Sequence, residues 1–447
     1  MSQNKRLIES WLPIAALGAE SLRERTPMTP YPAPNRLHVW WARRPLVAAR
    51  AAILASLLPE NADRDKFMHI LGIHGDPIAA KLRIAKANRE GARLGADAYG
   101  YPRAFAYKLT DDDRDWFDTQ TQGLGQSRLT VLDPTAGGGS IPFESVRLQC
   151  ETYANDLNPV SALILKATVQ WPLYHNELVL TAFRRIGASL SQRMREKLAW
   201  IFPDAISSDF RPDGYLWART IACPYCDGII PLSPNWRLAP DGTGVRLAPQ
   251  IAGGPNTPGR VCRFEIVNKS QDHSAGTVAR GGAVCPFPDC GRVVDGEEIK
   301  RQAQAGDMGE QLFTVVYKDR VIAHTKTGKP REKWERGYRA PRPEDDIAET
   351  IRQALAEKLP EWMALDIVPS ELIQDGNKTT EPLRYGMSKW SDLFSPRQLY
   401  CHSTSVEVFR ELLEEEKMTP GFGEVTKAAF GYLSDLTAKS LSTMLIQ

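Results

Sequence analysis

A glycine-rich turn after a short apolar run limits the possible folds of this chain more than any other feature. The turn reads Asp133-Pro134-Thr135-Ala136-Gly137-Gly138-Gly139-Ser140. Residues 129–132 before it are apolar and include a β-branched side chain, which is typical of a buried parallel strand. We predict a helix over residues 141–149, capped by Ser140, and a second strand over residues 152–154. This order of elements indicates the start of a βαβ unit in an α/β fold.

Acidic residues at the ends of the two predicted strands indicate a ligand site. Open α/β sheets bind ligands at the carboxyl ends of their strands, where Asp133 and Asp156 stand. The consecutive glycines allow positive φ angles and let the backbone approach a ligand with no Cβ atom in the way. Asp156 is placed to accept hydrogen bonds from a ribose diol.

The residues after the glycines separate the rival nucleotide ligands. A phosphate-binding P-loop needs Gly-Lys-Ser/Thr, but no lysine occurs between Gly139 and Lys166. A dinucleotide fingerprint needs a third glycine where this chain has Pro142. The pattern therefore disfavours ATP, GTP and NAD and favours S-adenosylmethionine. A purely structural glycine turn is the alternative.

The composition is that of an ordinary globular protein. Of 447 residues, 42% are hydrophobic and 25% are charged, and the length suggests two or three domains. Because the formal net charge is only +2, a basic surface that attracts nucleic acid would have to be local. The sequence shows neither a signal-peptide pattern nor an apolar stretch of about 20 residues. We expect a cytoplasmic protein without a membrane span.

Two close pairs among the seven cysteines predict a metal site in a reducing compartment. Cys223 and Cys226 form a Cys-x-x-Cys knuckle, and Cys285 and Cys290 flank four residues. Two thiolate pairs offer the four sulfurs that tetrahedral zinc prefers, so we predict a structural zinc ribbon. The second pair is wider than the first and 58 residues separate the two. Cys262 is an alternative ligand, although a lone cysteine in a strand-like run is more often a buried apolar side chain.

A basic segment follows the second cysteine pair. Residues 318–342 contain nine basic and three acidic side chains, a local net charge of +6. Basic residues neutralise phosphates and aromatic rings stack on bases, so this segment is predicted to contact nucleic acid. A solvated polar loop is the alternative. The contact residues that we predict are Lys333, Trp334, Arg336, Tyr338 and Arg339.

Several segments together resemble one group of proteins. DPTAGGGS followed by NDLNP resembles the first motif, of the DPFAGSG type, and the acidic second strand of amino-group DNA methyltransferases. The head of the chain, LHVWWARRPL from Leu37 to Leu46, is similar to the opening domain of the DUF1156 group, which is described as adenine-specific DNA methylases with a zinc ribbon. The knuckle CPYC, GDMGEQ after Ala305 and WSDLFSPRQ after Lys389 fit the same group. Together these segments span nearly the whole chain.

The resemblance implies a fold, a cofactor and a partner. The implied fold is a Rossmann-like α/β methyltransferase sheet that binds S-adenosylmethionine, with DNA as the partner and the adenine N6 amine as the acceptor. The segments that we expect are a helical head (1–60), a cofactor-binding core (61–208), a β-rich zinc-ribbon insertion with the basic segment (209–342) and a C-terminal helical segment (343–447). The cofactor-binding residues that we expect are Asp133, Pro134, Ala136, Gly137, Gly139 and Asp156, with His38 and Arg43 lining the pocket.

One part of the methylase pattern is missing. The resemblance implies an Asp/Asn/Ser-Pro-Pro-aromatic motif, whose polar head accepts hydrogen bonds from the target amine and whose ring stacks on a flipped base. The sequence contains no Pro-Pro dipeptide, and the nearest imitation, Ser233-Pro234-Asn235-Trp236, lacks the second proline. The catalytic residues are therefore unassigned. We expect an incomplete sheet with exposed apolar surface, in a chain that is truncated or split.

Three functions are compatible with these features. The first is the cofactor-binding and DNA-contacting portion of a DNA adenine-N6 methyltransferase, inactive alone, whose catalytic half lies on further sequence or another chain. The second is a non-catalytic module that holds S-adenosylmethionine and DNA in a restriction-modification or phage-defence assembly. The third is an RNA methyltransferase, because the cofactor motif does not distinguish the acceptor.

Overall fold

The computed structural model describes residues 5–26, 31–94, 96–125, 129–202, 209–251, 259–324 and 328–444. Within these ranges the chain is a mixed α/β protein with helices and four small sheets. It divides into two compact units, one formed by Met1–Ser189 with Leu413–Gln447 and the other by Leu190–Leu412. The four segments expected from the sequence stay a prediction. None of the described helices is long and apolar enough to cross a lipid bilayer.

The first unit begins with a helical head around an apolar core that includes Val47, Leu54, Phe67 and Phe117. Pro45 directly precedes the fourth helix, where its fixed φ angle suits a helix start. The helices of the head are α1 (Leu7–Ser10), α2 (Ile14–Arg25), α3 (Ala33–Leu37) and α4 (Leu46–Leu57). Three further helices follow it, α5 (Arg64–Leu71), α6 (Pro77–Arg89) and α7 (Asp111–Thr121).

A short βαβ unit follows the head, formed by β1 (Thr130–Asp133), α8 (Ser140–Arg147) and β2 (Glu151–Ala154). The two strands pair in parallel, with Asp133 opposite Ala154, so both predicted strands are present. The described residues add no further strand to this sheet, and a complete Rossmann-like sheet is not among them. The prediction that Ser140 caps α8 is wrong. Its hydroxyl donates instead to the carbonyl of Arg44, at 2.6 Å, and Gly139 stands at the cap position.

Helices cover the region after β2. They are α9 (Pro159–Leu165), a π-helical turn (Lys166–Gln170) and α10 (Trp171–Leu198). Asn158 caps α9 by accepting a hydrogen bond from the N–H of Val160, and Pro159 occupies the first helical position. Asn176 has φ of +41°, which produces a kink inside α10.

The second unit is rich in β structure after Asp209. The elements are β3 (Phe210–Ala222), β4 (Ile229–Leu232), β5 (Gly244–Gln250), β6 (Val261–Val267), β7 (Val278–Ala279), β8 (Gly282–Val284), β9 (Val293–Val294), α11 (Gly296–Ala305), β10 (Gly309–His324) and β11 (Pro330–Arg339). One sheet has the antiparallel order β11-β10-β3-β4, and β5-β6 and β7-β8-β9 form two smaller ones. The helices that follow are α12 (Ala348–Ala364), α13 (Thr380–Arg384) and α14 (Pro396–Lys417). The last helix, α15 (Glu424–Met444), belongs to the first unit.

Candidate functional site

The carboxyl ends of β1 and β2 bring the two predicted acidic residues to one edge of the sheet. Asp133 is the last residue of β1, and Asp156 comes two residues after the end of β2. The strand ladder continues into the turn, because the N–H of Asn155 donates to the Asp133 carbonyl and the N–H of Ala136 donates to the Asn155 carbonyl, each at 2.9 Å. These two hydrogen bonds fix the start of the glycine turn relative to β2.

The Asp156 carboxylate holds the glycine turn. Its Oδ2 accepts a hydrogen bond from the N–H of Gly137 at 2.7 Å, and its Oδ1 accepts one from the N–H of Asn158 at 2.9 Å. The hydrogen bond from Asn158, followed by that from Gly137, lowers the pKa of Asp156, so the group is ionised at neutral pH. Gly137 and Gly139 have φ angles of +53° and +76°, in the left-handed region that favours glycine.

The other predicted turn residues serve the shape of the turn. The side chain of Asp133 is buried, and its Oδ1 accepts a hydrogen bond from the N–H of Thr135 at 3.3 Å. The carbonyl of Pro134 accepts a hydrogen bond from Asn155 Nδ2 at 3.2 Å, and Ala136 is buried. The structure thus places all six predicted turn and tip residues next to one another.

The indole of Trp40 lies against the glycine turn. A Cβ atom added to Gly137 would be 2.8 Å from Trp40 Nε1, and one added to Gly138 would be 2.8 Å from Trp40 Cβ. Such distances are too short for a real Cβ atom, so the tryptophan packs here only because both residues are glycine. The glycines therefore have a packing role in addition to any role in ligand binding. A ligand approaching them from the same side would displace Trp40.

Arg43 and His38, which were expected to line the pocket, belong to the same segment as Trp40. The Arg43 guanidinium pairs with Glu24 at 2.5 Å, and both side chains are buried. Glu24 also accepts hydrogen bonds from the N–H groups of Leu46 and Val47, which begin α4. Arg43 thus helps to fix the start of α4. His38 is half-buried and directly follows α3.

A cavity of about 770 Å³ runs beside β2. Residues 149–156 line one side of it, and Leu165, Lys166 and Tyr174 are among the helical residues on the other. Its volume lies in the range of small-molecule pockets. Asp156 lines this cavity, whereas the other five predicted turn residues do not. Among the six predicted residues, Asp156 therefore both lines the cavity and accepts a hydrogen bond from the glycine turn.

The four predicted cysteines converge in the second unit. The Sγ atoms of Cys223, Cys226, Cys285 and Cys290 all lie within 4.8 Å of one another. The separation is 3.8 Å between Cys223 and Cys290 and also between Cys226 and Cys285. Cys262 is not in this group but is buried in the surrounding apolar cluster. Four protein ligands could therefore hold a zinc ion here.

The sulfur separations fit tetrahedral coordination. With Zn–S bonds of about 2.3 Å, the edge of a regular tetrahedron is about 3.8 Å, and the two cross-pair separations are 3.8 Å. A disulfide requires sulfurs about 2.05 Å apart, and all four cysteines are free thiols. Burial is the main influence on Cys223 and Cys285 and raises the pKa of both thiols. A divalent cation would stabilise the thiolates, so metal binding would release protons.

The two cysteine pairs are packed onto each other through a glycine and an aromatic ring. A Cβ atom on Gly228, two residues after Cys226, would lie 2.4 Å from the ring of Phe287, which stands between Cys285 and Cys290. The N–H of Cys223 donates to the Gly228 carbonyl at 2.9 Å, which closes the first knuckle. Glycine at this position therefore lets the second loop approach the first.

The basic segment forms an antiparallel hairpin, β10-β11, and not a loop. Lys318 lies opposite Arg336, and Arg320 lies opposite Trp334. Because side chains alternate along a strand, Trp334 and Arg336 share one face and Lys333 points to the other. The guanidinium of Arg211, from the adjacent strand β3, lies 4.2 Å from the centre of the Trp334 ring.

Nearby carboxylates compensate much of the positive charge of the hairpin. Asp213 accepts hydrogen bonds from Lys318 at 2.5 Å and from Arg336 at 3.0 Å. Lys333 pairs with Glu335 at 3.1 Å. These pairs are at least partly exposed, so phosphate groups could compete with the carboxylates for the basic side chains.

Tyr338 and Arg339 hold the hairpin in place. The Tyr338 hydroxyl donates to the Leu238 carbonyl at 3.3 Å. Both amino groups of Arg339 bind the buried carboxylate of Asp345, at 2.5 and 2.7 Å. Of the five predicted contact residues, Lys333, Trp334 and Arg336 therefore lie on the exposed part of the hairpin, and Tyr338 and Arg339 have structural partners.

A buried ion pair that the sequence reasoning missed supports the glycine turn. Arg50 Nε in α4 donates to Glu144 Oε2 in α8 at 2.6 Å, and both side chains are completely buried. Arg50 also donates to the carbonyl of Ile70 at 3.2 Å. The sequence signal was a single charged residue, Arg50, within the alanine-rich and leucine-rich helix LVAARAAILASL. This pair fixes the helix that begins directly after the turn.

Comparison with known proteins identifies the helical head alone. A family model described as "Protein of unknown function (DUF1156)" matches residues 11–70. The matched region includes His38, Trp40, Arg43 and Arg50. Searches of curated proteins and of solved structures gave no match. The head is thus similar to DUF1156, a family whose description names no activity.

Proposed function

We propose that this chain is the S-adenosylmethionine-binding and DNA-contacting portion of a DNA adenine-N6 methyltransferase. The observation that carries the proposal is the 2.7 Å hydrogen bond from the N–H of Gly137 to Asp156, at the carboxyl end of a parallel strand pair. Ligands of open α/β sheets bind at this edge. Each oxygen of the ionised Asp156 carboxylate has a further lone pair that could accept a ribose hydroxyl.

Four of the predicted cofactor-binding residues have a defined role in this proposal. Asp156 would accept hydrogen bonds from the ribose diol, and Asp133 would keep the turn in position. Gly137 and Gly139 would let the backbone pass close to the cofactor, after Trp40 moves aside. Bound S-adenosylmethionine would supply an electrophilic methyl group. The acceptor base would have to be oriented by a polar-Pro-Pro-aromatic motif, which this sequence lacks.

Exposed apolar residues support a requirement for additional polypeptide. Parallel strands normally lie inside larger, covered sheets, whereas β1 and β2 gain no third strand from the described residues. Leu132 and Tyr153 on these strands are 68% and 54% exposed, and Leu157 after β2 is fully exposed. Further strands that carry the catalytic motif, on the same or another chain, would cover this surface. The four cysteines would hold a structural zinc ion.

Calorimetric titration with S-adenosylmethionine tests the cofactor site. We expect wild-type protein to bind and Asp156→Ala to bind about 10-fold to 100-fold more weakly, because hydrogen bonds to a charged group contribute about 1.5–3 kcal/mol. Asp133→Ala should also bind more weakly. Asp112→Ala, at an exposed position of α7 outside the cavity lining, should bind like the wild type. Absence of binding by a folded wild-type chain would exclude the proposed site.

Fluorescence titrations with labelled oligonucleotides test the hairpin. Trp334→Ala should weaken binding by about 1–3 kcal/mol if the ring stacks on a base. Arg336→Gln should make the slope of log affinity against log salt concentration shallower by about 1, as expected for the loss of one phosphate contact. Arg301→Gln on α11, where the side chain is exposed, is the matched control. Unchanged affinity and salt dependence in both hairpin variants would contradict the assignment, and stronger binding to RNA than to DNA would favour an RNA methyltransferase.

A non-catalytic module is the second candidate. The observation in its favour is the missing Pro-Pro motif, which leaves the acceptor amine without its known hydrogen-bond partners. Such a module would bind S-adenosylmethionine and DNA within a modification or phage-defence assembly. A complex with a candidate partner that binds the cofactor but transfers no methyl group to DNA or RNA would favour this function.

A further inference from the structure

Arg260 is a completely buried arginine beside the cysteine cluster. Its two amino groups bind the Asp289 carboxylate side by side, at 3.0 and 2.6 Å. Asp289 directly precedes Cys290, so this fork holds the loop that carries the second cysteine pair. The guanidinium also lies 4.6 Å from the centre of the Phe287 ring within the same loop.

The backbone of Arg260 contacts the first cysteine pair. Its carbonyl accepts a hydrogen bond from the N–H of Ile229 at 2.9 Å, three residues after Cys226. Arg260 is distant in sequence from both cysteine pairs. Its side chain binds next to the second pair, and its backbone binds close to the first. The fork acts directly on the second pair, because Asp289 lies within the four-residue loop between Cys285 and Cys290.

The charge of Arg260 complements a metal-bound cluster. Four thiolates and one Zn²⁺ carry a net charge of −2. The Arg260 side chain is completely buried, whereas the Asp289 side chain is 30% exposed and partly screened by water. The Arg260 Nε has no hydrogen-bond partner among the described residues.

We propose that Arg260 is a positioning residue of the zinc centre, which holds the Cys285–Cys290 loop through Asp289 and compensates the negative charge of the four thiolates. This role rests on the structural zinc ion in the proposed function. Partners outside the ligand set commonly alter metal affinity by about 10-fold to 100-fold.

Competition with a chromophoric zinc chelator, using the full-length chain, measures this role. We expect Arg260→Met to bind zinc about 10-fold to 100-fold more weakly than the wild type. Arg260→Lys should retain part of the affinity, because it keeps the charge but loses the fork. Arg263→Met is the matched control, since Arg263 is exposed on the same chain segment. The Co²⁺-substituted proteins should keep the absorption of a four-thiolate site.

The possible results distinguish failure of the proposed role of Arg260 from failure of zinc binding itself. If the wild type binds one zinc ion and Arg260→Met binds it with equal affinity, the role of Arg260 is excluded and the centre stands. If the wild type binds no zinc, both are excluded. If Arg260→Met does not fold, Asp289→Asn decides, because it removes the charged partner at a partly exposed position. Unchanged zinc affinity in that variant would overturn the proposal.

Discussion

Replacing Cys226 with alanine is expected to abolish stoichiometric zinc binding and to destabilise the second unit. Three thiolates cannot complete the tetrahedral site, and structural zinc contributes about 10–16 kcal/mol of binding free energy in small zinc domains. The apolar cluster around the site contains all four cysteines with Ile221, Phe287 and Ile299. Losing the metal therefore removes the contact that joins the two loops at its centre.

Metal content per chain and urea denaturation measure this effect. We expect one zinc ion per wild-type chain, none in Cys226→Ala, and a lower midpoint of unfolding after treatment with a chelator. Cys262→Ala is the matched control, because Cys262 is completely buried in the same cluster but is not one of the four grouped thiols. It should keep one zinc ion. Equal zinc content in Cys226→Ala and wild type would contradict the assigned ligand set.

Replacing Arg50 with methionine is expected to lower the free energy of unfolding by about 3–5 kcal/mol. Methionine has a similar length, but its substitution leaves Glu144 as a buried carboxylate that has lost its main partner, and this is the costly step. Arg147 also binds Glu144, through Nη1 and Oε1 at 2.8 Å, and its side chain is 21% exposed. This ion pair remains in the variant. The loss should therefore be large but short of complete unfolding.

Urea denaturation of the Arg50 and Glu144 variants measures the effect of the pair. The double variant Arg50→Met with Glu144→Gln should recover part of the loss, because no unpaired charge is then buried. Lys86→Met on α6 is the control for removal of a positive charge, since its side chain is 76% exposed. It should change stability by less than about 0.5 kcal/mol. A similarly small effect of Arg50→Met would show that the pair is not important for stability.

This ion pair also bears on the proposed cofactor site. Glu144 lies in the helix that follows the glycine turn, and Arg50 lies in the helix that follows the Trp40 segment. Ser140 makes a second link through its hydrogen bond to the Arg44 carbonyl. Two contacts therefore connect the helical head to the glycine turn and the helix after it. Weaker cofactor binding in Arg50→Met would reflect displacement of the turn.

Local sequence patterns predicted the strands and the turn well. β1 follows from a short apolar run before the turn, and the positive φ angles of Gly137 and Gly139 follow from glycine itself. The capping role of Ser140 was predicted wrongly, since the same hydroxyl could bond within its helix or to a distant carbonyl. The approach of Arg44, 96 residues away, decided between these partners.

The sequence alone determined the acidic strand ends, the glycine turn, the two cysteine pairs and the excess of basic residues near position 330, because each depends on residues close together in the chain. Tertiary structure decided what these features contact. It joined cysteine pairs 58 residues apart, placed Trp40 on the glycines, and paired Lys318 and Arg336 with Asp213. Such contacts form only when distant segments pack together, so burial and charge pairing cannot be obtained from local spacing.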